Sequence, residues 1–308
     1  MGTHDAPSTA SPSGVSCALS HLSTLFASLG RQGPYDPLTG LGNSCDSDPV
    51  RRFKRGYHRD MWAAGYQESS AVPASLAKIE SVGDQLTNTL SPRRSALQNL
   101  CTERDALLLL YSWDSAMRGK EGGSLCLADF HDSRRVPLFP TGYQPGSQPP
   151  EQVWILPTHG TKTNKRGRTQ QDPVHLVRHP DKQSKYCFLT RLWGYLAYSH
   201  SHGYPVTHFV FRPLSRDIQG FSDNAFSSSS FNHMYKSHLA ECGIYNGETL
   251  PGVRRGTLQS TAASRPGGIL SAALRGRIKT PRILDKYLDL GRHSATDIDP
   301  SPAACAMP

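Results

Sequence analysis

Apolar residues first recur at helical spacing from Cys17 onward, as Leu19, Leu22, Leu25, Phe26 and Leu29, and the pattern stops at Gly30. A turn-rich connection through Pro34, Pro37, Gly40 and Gly42 follows. Residues 50–64 predict a second helix. Val50, Phe53, Tyr57 and Met61 line one side, Arg51, Arg52, Lys54, Arg55 and Arg59 crowd the others, and Gly65 ends it. A third begins near Pro73, with Leu76, Ile79, Val82, Leu86 and Leu90 three or four residues apart before Ser91-Pro92. Residues 15–92 are therefore expected to form a small all-helical domain.

Beyond Pro92-Arg93-Arg94 the spacing predicts a helix over 95–114, apolar through Leu107, Leu108, Leu109, Leu110 and Tyr111 and so suited to a core. Residues 124–130 alternate like a strand, and 153–157 and 174–177 are short β-branched strands. Between the last two lies a polar stretch carrying Lys162, Lys165, Arg166 and Arg168, the pattern of a β-hairpin with a basic tip. Helices are expected over 185–199, 226–242, 257–264, 268–275 and 281–288, with an extended segment at 207–211. The fold class is mainly α with a small antiparallel β-sheet, and no repeat of fixed period is present. Residues 1–14 and 293–308 lack periodicity and read as tails.

Composition narrows the function. With 308 residues, 37% apolar, the chain has material for two modest cores. Its longest apolar run, residues 106–111, is far short of the roughly 18 that span a bilayer, and no apolar stretch follows a basic start, so neither a membrane span nor a secretory leader is expected. Seven scattered cysteines without a Cys-x-x-Cys pair suggest neither a disulfide framework nor a zinc site. An intracellular reducing compartment is expected: nuclear in a eukaryote, cytoplasm or nucleoid otherwise. The formal net charge is +9, and residues 253–292 hold nine bases against two acids. A clustered surplus of this kind favours a polyanionic partner over a merely solvated surface.

Several chemistries drop out. His200 with His202, and His233 with His238, lack acid or cysteine partners at metal-site spacing, so no metal is expected. Glycine-rich phosphate loops are absent, and no nucleotide or other cofactor is expected. Cys101 and Cys126 flank apolar elements and read as core thiols.

Four features then fall in a recognisable order. Met117-Arg118-Gly119-Lys120-Glu121 follows the apolar helix, with Glu three and Asp129 eleven positions after Arg118. Gly160-Thr161-Lys162-Thr163-Asn164-Lys165 sits between two strands. Leu250-Pro251-Gly252-Val253-Arg254-Arg255-Gly256 marks a helix start. Leu274-Arg275-Gly276-Arg277-Ile278-Lys279 precedes Tyr287. Together these resemble the signature boxes of the tyrosine recombinases, the phage-integrase-like family, over residues 97–292, and the Arg-Arg-Gly variant resembles recombinases of eukaryotic mobile elements. The chain departs from the family at Pro251, where a His is usual, and at Arg277 or Ile278, where a His or Trp is usual.

The resemblance implies a helical core-binding domain followed by a catalytic domain, closing as a C-shaped clamp on double-stranded DNA and acting as a homotetramer on paired sites. It implies Tyr287 as nucleophile, Arg118 and Arg254 as phosphate ligands, and Lys162 as the proton donor to the leaving 5′ oxygen, with Lys165 the competing choice. Lys165, Arg166, Arg255, Arg277, Lys279, Arg51 and Arg55 are implied DNA contacts. These residue types suit the chemistry, because rigid guanidiniums hold the charge that develops on non-bridging phosphate oxygens. Two readings compete: site-specific recombination through a 3′-phosphotyrosine, and a DNA-binding descendant without turnover, which the two departures favour. A chance match would leave Arg118, Arg254 and Tyr287 far apart.

Overall fold

A computed structural model describes residues 10–66, 71–157, 173–178, 186–264 and 266–288. The chain divides into two compact units at Ser70/Ala71.

In the first unit, α1 (Pro12–Ser28) starts earlier than the apolar spacing implied, because the Ser11 hydroxyl accepts from the Gly14 N–H and Pro12 occupies the first turn. The buried Asn43 side chain donates to the Ser23 carbonyl and hydroxyl and accepts from the Cys45 N–H, tying the connection back onto α1. Helix α2 (Asp48–Ala63) buries none of its residues. Phe53 and Tyr57 stack on each other at 5.8 Å, yet Phe53 and Trp62 stay exposed, so the expected apolar side is not a core face within this unit. Arg51 and Arg55 are exposed on the same helix.

The second unit contains α3 (Leu76–Thr89), which the apolar spacing had grouped with the preceding helices. Ile79, Val82 and Leu86 of α3 enter the main core with α4 (Ala96–Ser115). Lys78 pairs with the buried Glu248 and donates to the Ile244 carbonyl at 2.7 Å, pinning α3 to the loop over residues 244–248. Burial raises the Glu248 carboxyl, but hydrogen bonds from Lys78 and from the Asn246 and Glu248 backbone N–H groups, with the Lys78 charge, outweigh it and hold it below the ordinary carboxylate range. Helix α4 is buried over most of its surface, with Leu107–Tyr111 in the core and Arg104 and Asp105 buried as a pair, and begins in a reciprocal cap between Ser95 and Gln98.

The chain continues through the short α5 (Gly119–Gly123) into an antiparallel sheet ordered β1 (Phe130–His131), β2 (Gln152–Ile155), β3 (Val174–Val177). The registers pair Phe130 with Ile155 and Ile155 with Val174. The strand expected over 124–130 shrinks to two residues, because the Asp129 carboxylate accepts from the Cys126 N–H at 2.8 Å and closes a 3-10 turn over Leu127–Asp129. Helices α6 (Phe188–Ser201), α7 (Ser228–Glu241), α8 (Leu250–Ala263), α9 (Gly268–Arg275) and α10 (Pro281–Leu288) complete the unit. The fold class is thus mainly α with a small three-stranded antiparallel sheet. No helix among the described residues is long and apolar enough to cross a membrane.

Helix α8 starts at Leu250, seven residues before its expected start at Thr257, since Pro251 is tolerated where first-turn N–H groups have no helical acceptor. Residues 72–74 cross directly over it. A Cβ on Gly252 would lie 2.1 Å from the Val72 carbonyl oxygen, and one on Gly256 1.8 Å from that of Ala74, while the Ala74 N–H donates to the Gly252 carbonyl at 3.0 Å. Gly256→Ala is therefore expected to cost about 1–3 kcal/mol as this crossing is forced apart, read as a lowered midpoint in denaturant.

On α7, His238 faces the Asp105 carboxylate at 3.4 Å and Glu241 at 3.1 Å. Asp105 is also held by Arg104 at 2.7 Å, and Gln85 of α3 donates to Glu241. Burial opposes the charged imidazole, but the hydrogen bonds and charges of Asp105 and Glu241 prevail and raise its proton affinity. Because the folded value exceeds the unfolded one, this contribution is complete below the unfolded value of about 6.5. It disappears as pH rises through the folded value. Urea titrations across that range are expected to show stability falling with rising pH, with the dependence reduced in His238→Gln.

Candidate functional site

The site begins where α4 ends. Ser115 closes the helix, Ala116 takes a left-handed conformation at φ 48°, and the last carbonyls of α4 turn toward α8 and α9. The Thr257 hydroxyl donates to Trp113 O at 3.1 Å, and Arg275 donates to Asp114 O at 2.8 Å and Trp113 O at 3.3 Å. Arg254 takes the Ala116 carbonyl. This places Arg118 at the start of α5, where its guanidinium pairs with Glu121 Oε1 at 3.0 Å and its N–H with Oε2 at 3.3 Å. The Arg118 side chain keeps 34% of its surface open, against 7% for Glu121.

Arg254 lies 2% exposed on α8. One terminal nitrogen donates to Ala116 O, the other to Gly276 O at 2.6 Å, and its carbon sits 5.0 Å from the centre of the Tyr287 ring. Its Nε–H meets no acceptor among the described residues. Desolvation lowers its proton affinity most, Tyr287 counteracts, and the charges of Arg118 and Arg277 lower it further. Arg277 reaches Glu121 Oε2 at 3.4 Å, so one buried carboxylate joins two guanidiniums beside the third.

Helix α10 carries Tyr287 into place. Leu284 and Leu288 pack with Ala116, Leu258 and Ala272 in a small second cluster, and the Tyr287 ring lies against it. Gln259 of α8 donates to the carbonyls of Tyr287 and Leu288 at 3.1 and 3.3 Å, fastening the end of α10.

Residues scattered over 170 positions thus meet: Arg254 and Tyr287 in direct contact, Arg118 and Arg277 linked through Glu121. Arg255 turns inward instead, 5% exposed, and donates to the Ala71 carbonyl at 3.4 Å. Lys279 is exposed. Lys162, Lys165 and Arg166 lie outside the described residues. The Leu156 N–H bonds the Asp129 carbonyl at 2.8 Å, extending the pairing of β1 and β2 by one residue. Pro251 is exposed on the first turn of α8 and offers no side-chain donor. Thr257, Gln259 and Arg275 carry no spacing signal, since each acts through backbone carbonyls that only packing brings near. Among the described residues no group of three His, Cys, Asp or Glu side chains gathers to hold a metal. The arrangement offers three positive groups, one internal carboxylate and a phenol, a setting that can bind an anion and present it to a hydroxyl.

No family model matches the chain, and no curated protein matches it. Solved structures similar to it include XerH site-specific recombinase bound to palindromic difH substrate in a post-cleavage complex, at 9% identity and TM-score 0.46, covering 90% of this chain and 69% of that one. A lambda integrase dimer bound to a COC′ core site is similar at 12% identity and TM-score 0.45, over 95% and 85% of the two chains. XerA recombinase is similar at 10% identity and TM-score 0.42, over 92% and 80%.

Proposed function

We propose that this chain binds double-stranded DNA and recombines it site-specifically as a tyrosine recombinase, with Tyr287 as nucleophile. The observation that carries this reading is the Tyr287 ring lying over the buried Arg254 guanidinium, within the field of Arg118 and Arg277. In the proposed step Tyr287 gives its phenol proton to solvent as Oη attacks phosphorus, a bond to Oη forms, and the bond to the 5′ oxygen breaks, leaving a 3′-phosphotyrosine. The departing oxygen takes a proton from Lys162, with Lys165 the alternative donor. Rejoining reverses these transfers on a new 5′ hydroxyl. Arg118 meets the phosphate from the solvent side. Arg254 uses one N–H of each terminal nitrogen on backbone, so displacing the ring frees the remaining donors for phosphate oxygens.

The exposed Lys279 of the second unit, and Arg51 and Arg55 of the first, are proposed backbone contacts, with Lys165 and Arg166. A homotetramer on paired sites, and kinship through Arg254-Arg255-Gly256 to recombinases of eukaryotic mobile elements, belong to the same proposal. The second reading is a DNA-binding protein without turnover, favoured by the exposed Pro251 at the place of a proton-handling His and by the 2% exposure of Arg254.

Incubating the full chain with duplexes randomised over their core, and capturing protein–DNA adducts under denaturing conditions, separates the two. Adducts that map to Tyr287 by mass spectrometry establish the enzyme. Salt-sensitive binding with no adduct on any recovered sequence leaves the second reading standing.

A further inference from the structure

The last residue of α9 and the two that follow it each contact the candidate site. The Arg275 side chain holds the Asp114 and Trp113 carbonyls, four and five residues before Arg118. The Gly276 carbonyl accepts from Arg254. The Arg277 side chain, 14% exposed, bonds Glu121, whose other oxygen holds Arg118. Both proposed phosphate arginines are thus tied to a single corner of the backbone.

The corner is strained to do so. Arg277 sits at φ 51°, a left-handed conformation that follows a helix end and usually belongs to glycine. Gly276 stands one position earlier, where a Cβ would lie 3.0 Å from Leu258 Cδ2 and 3.1 Å from the Ala272 carbonyl. A left-handed arginine costs on the order of 1 kcal/mol or more relative to glycine, and the Glu121 pairing is what its side chain makes there. Fork geometry suits Arg275, whose planar guanidinium bridges the Asp114 and Trp113 carbonyls at fixed separation.

We infer that Arg275-Gly276-Arg277 is a positioning clamp that sets the spacing of Arg118 and Arg254, Arg277 acting through Glu121 and not by touching DNA. This rests on the function proposed above. A guanidinium pair displaced by an ångström loses its fit to a phosphate in the transition state, at a cost of about a hundredfold in rate.

Arg277→Gly isolates the claim, because glycine suits the left-handed backbone and the variant should unfold no earlier than the parent. On a mixed-sequence duplex its binding is expected to keep the parent's salt slope, whereas loss of a direct phosphate contact lowers the slope by about one. Arg118→Gln is expected to cost less affinity in the Arg277→Gly background than in the parent, since Arg118 is then already misplaced. Adduct formation on a recovered site is expected to slow about tenfold to a hundredfold in Arg277→Gly and in Arg275→Lys, which loses the fork. A slope reduced by about one, strictly additive affinities, or an unchanged adduct rate would each overturn the clamp. Absence of adducts from the parent chain defeats the strand-transfer reading instead, and the affinity cycle then decides the clamp alone.

Discussion

Tyr287→Phe is expected to abolish covalent attachment to DNA while leaving the protein folded and able to bind. The substitution removes one oxygen. The ring keeps its place over Arg254 and against the Leu284–Leu288 cluster, and Gln259 still holds the main chain of residues 287 and 288. Stability should therefore change by no more than about 0.5–1 kcal/mol. Covalent catalysis, by contrast, has no substitute for its nucleophile, so adduct formation should fall by about 10⁴ or more, to the background of the assay. The measurement pairs denaturing gels of captured DNA with equilibrium binding of the same preparation. Adducts that persist in Tyr287→Phe would mean that another side chain attacks, and the site described above would lose its centre.

Arg254→Lys is the second large effect, and it differs in kind because fold and chemistry both suffer. An ammonium is a single point of charge and cannot serve the Ala116 and Gly276 carbonyls together, nor lie flat beneath the Tyr287 ring. One buried carbonyl is left without its donor, at about 1–3 kcal/mol. The remaining cation presents no paired N–H groups to a phosphate, and removing one preorganised donor of this type costs about 10²–10³ in rate. Adduct formation measured at a temperature where circular dichroism shows the variant folded should drop by that factor, whereas salt-dependent DNA binding should persist. A full rate in folded Arg254→Lys would show that the buried guanidinium is structural alone.

Much of the helical framework could be read from spacing, and the reasons are local. The core helix α4 announces itself by an unbroken apolar run, and the β2 and β3 strands by β-branched content, because burial and pleat impose these patterns directly. Where the folded chain departs from that spacing, a side chain or a distant segment intervenes. Ser11 and Pro12 started α1 early. Asp129 closed a turn in place of a strand. The chain crossing over Gly252 and Gly256 made an early start to α8 compatible with packing. Helix α3 joined the second unit because Ile79, Val82 and Leu86 found their core there, a choice that periodicity alone cannot express.

Residue types and their order were present in the sequence by itself: the basic late segment, Arg118 with Glu121 three places on, the paired Arg254-Arg255, and Tyr287 after them. Those are one-dimensional facts, set by covalent order. Which of two adjacent arginines faces the phenol was decided only in three dimensions, since successive side chains on a helix point about 100° apart and packing selects the face. Arg254 met Tyr287, and Arg255 turned to the Ala71 carbonyl. The same holds for the carbonyls that Thr257, Arg275 and Gln259 satisfy. Backbone acceptors carry no residue signature, so their partners emerge only once helix ends distant along the chain are brought together.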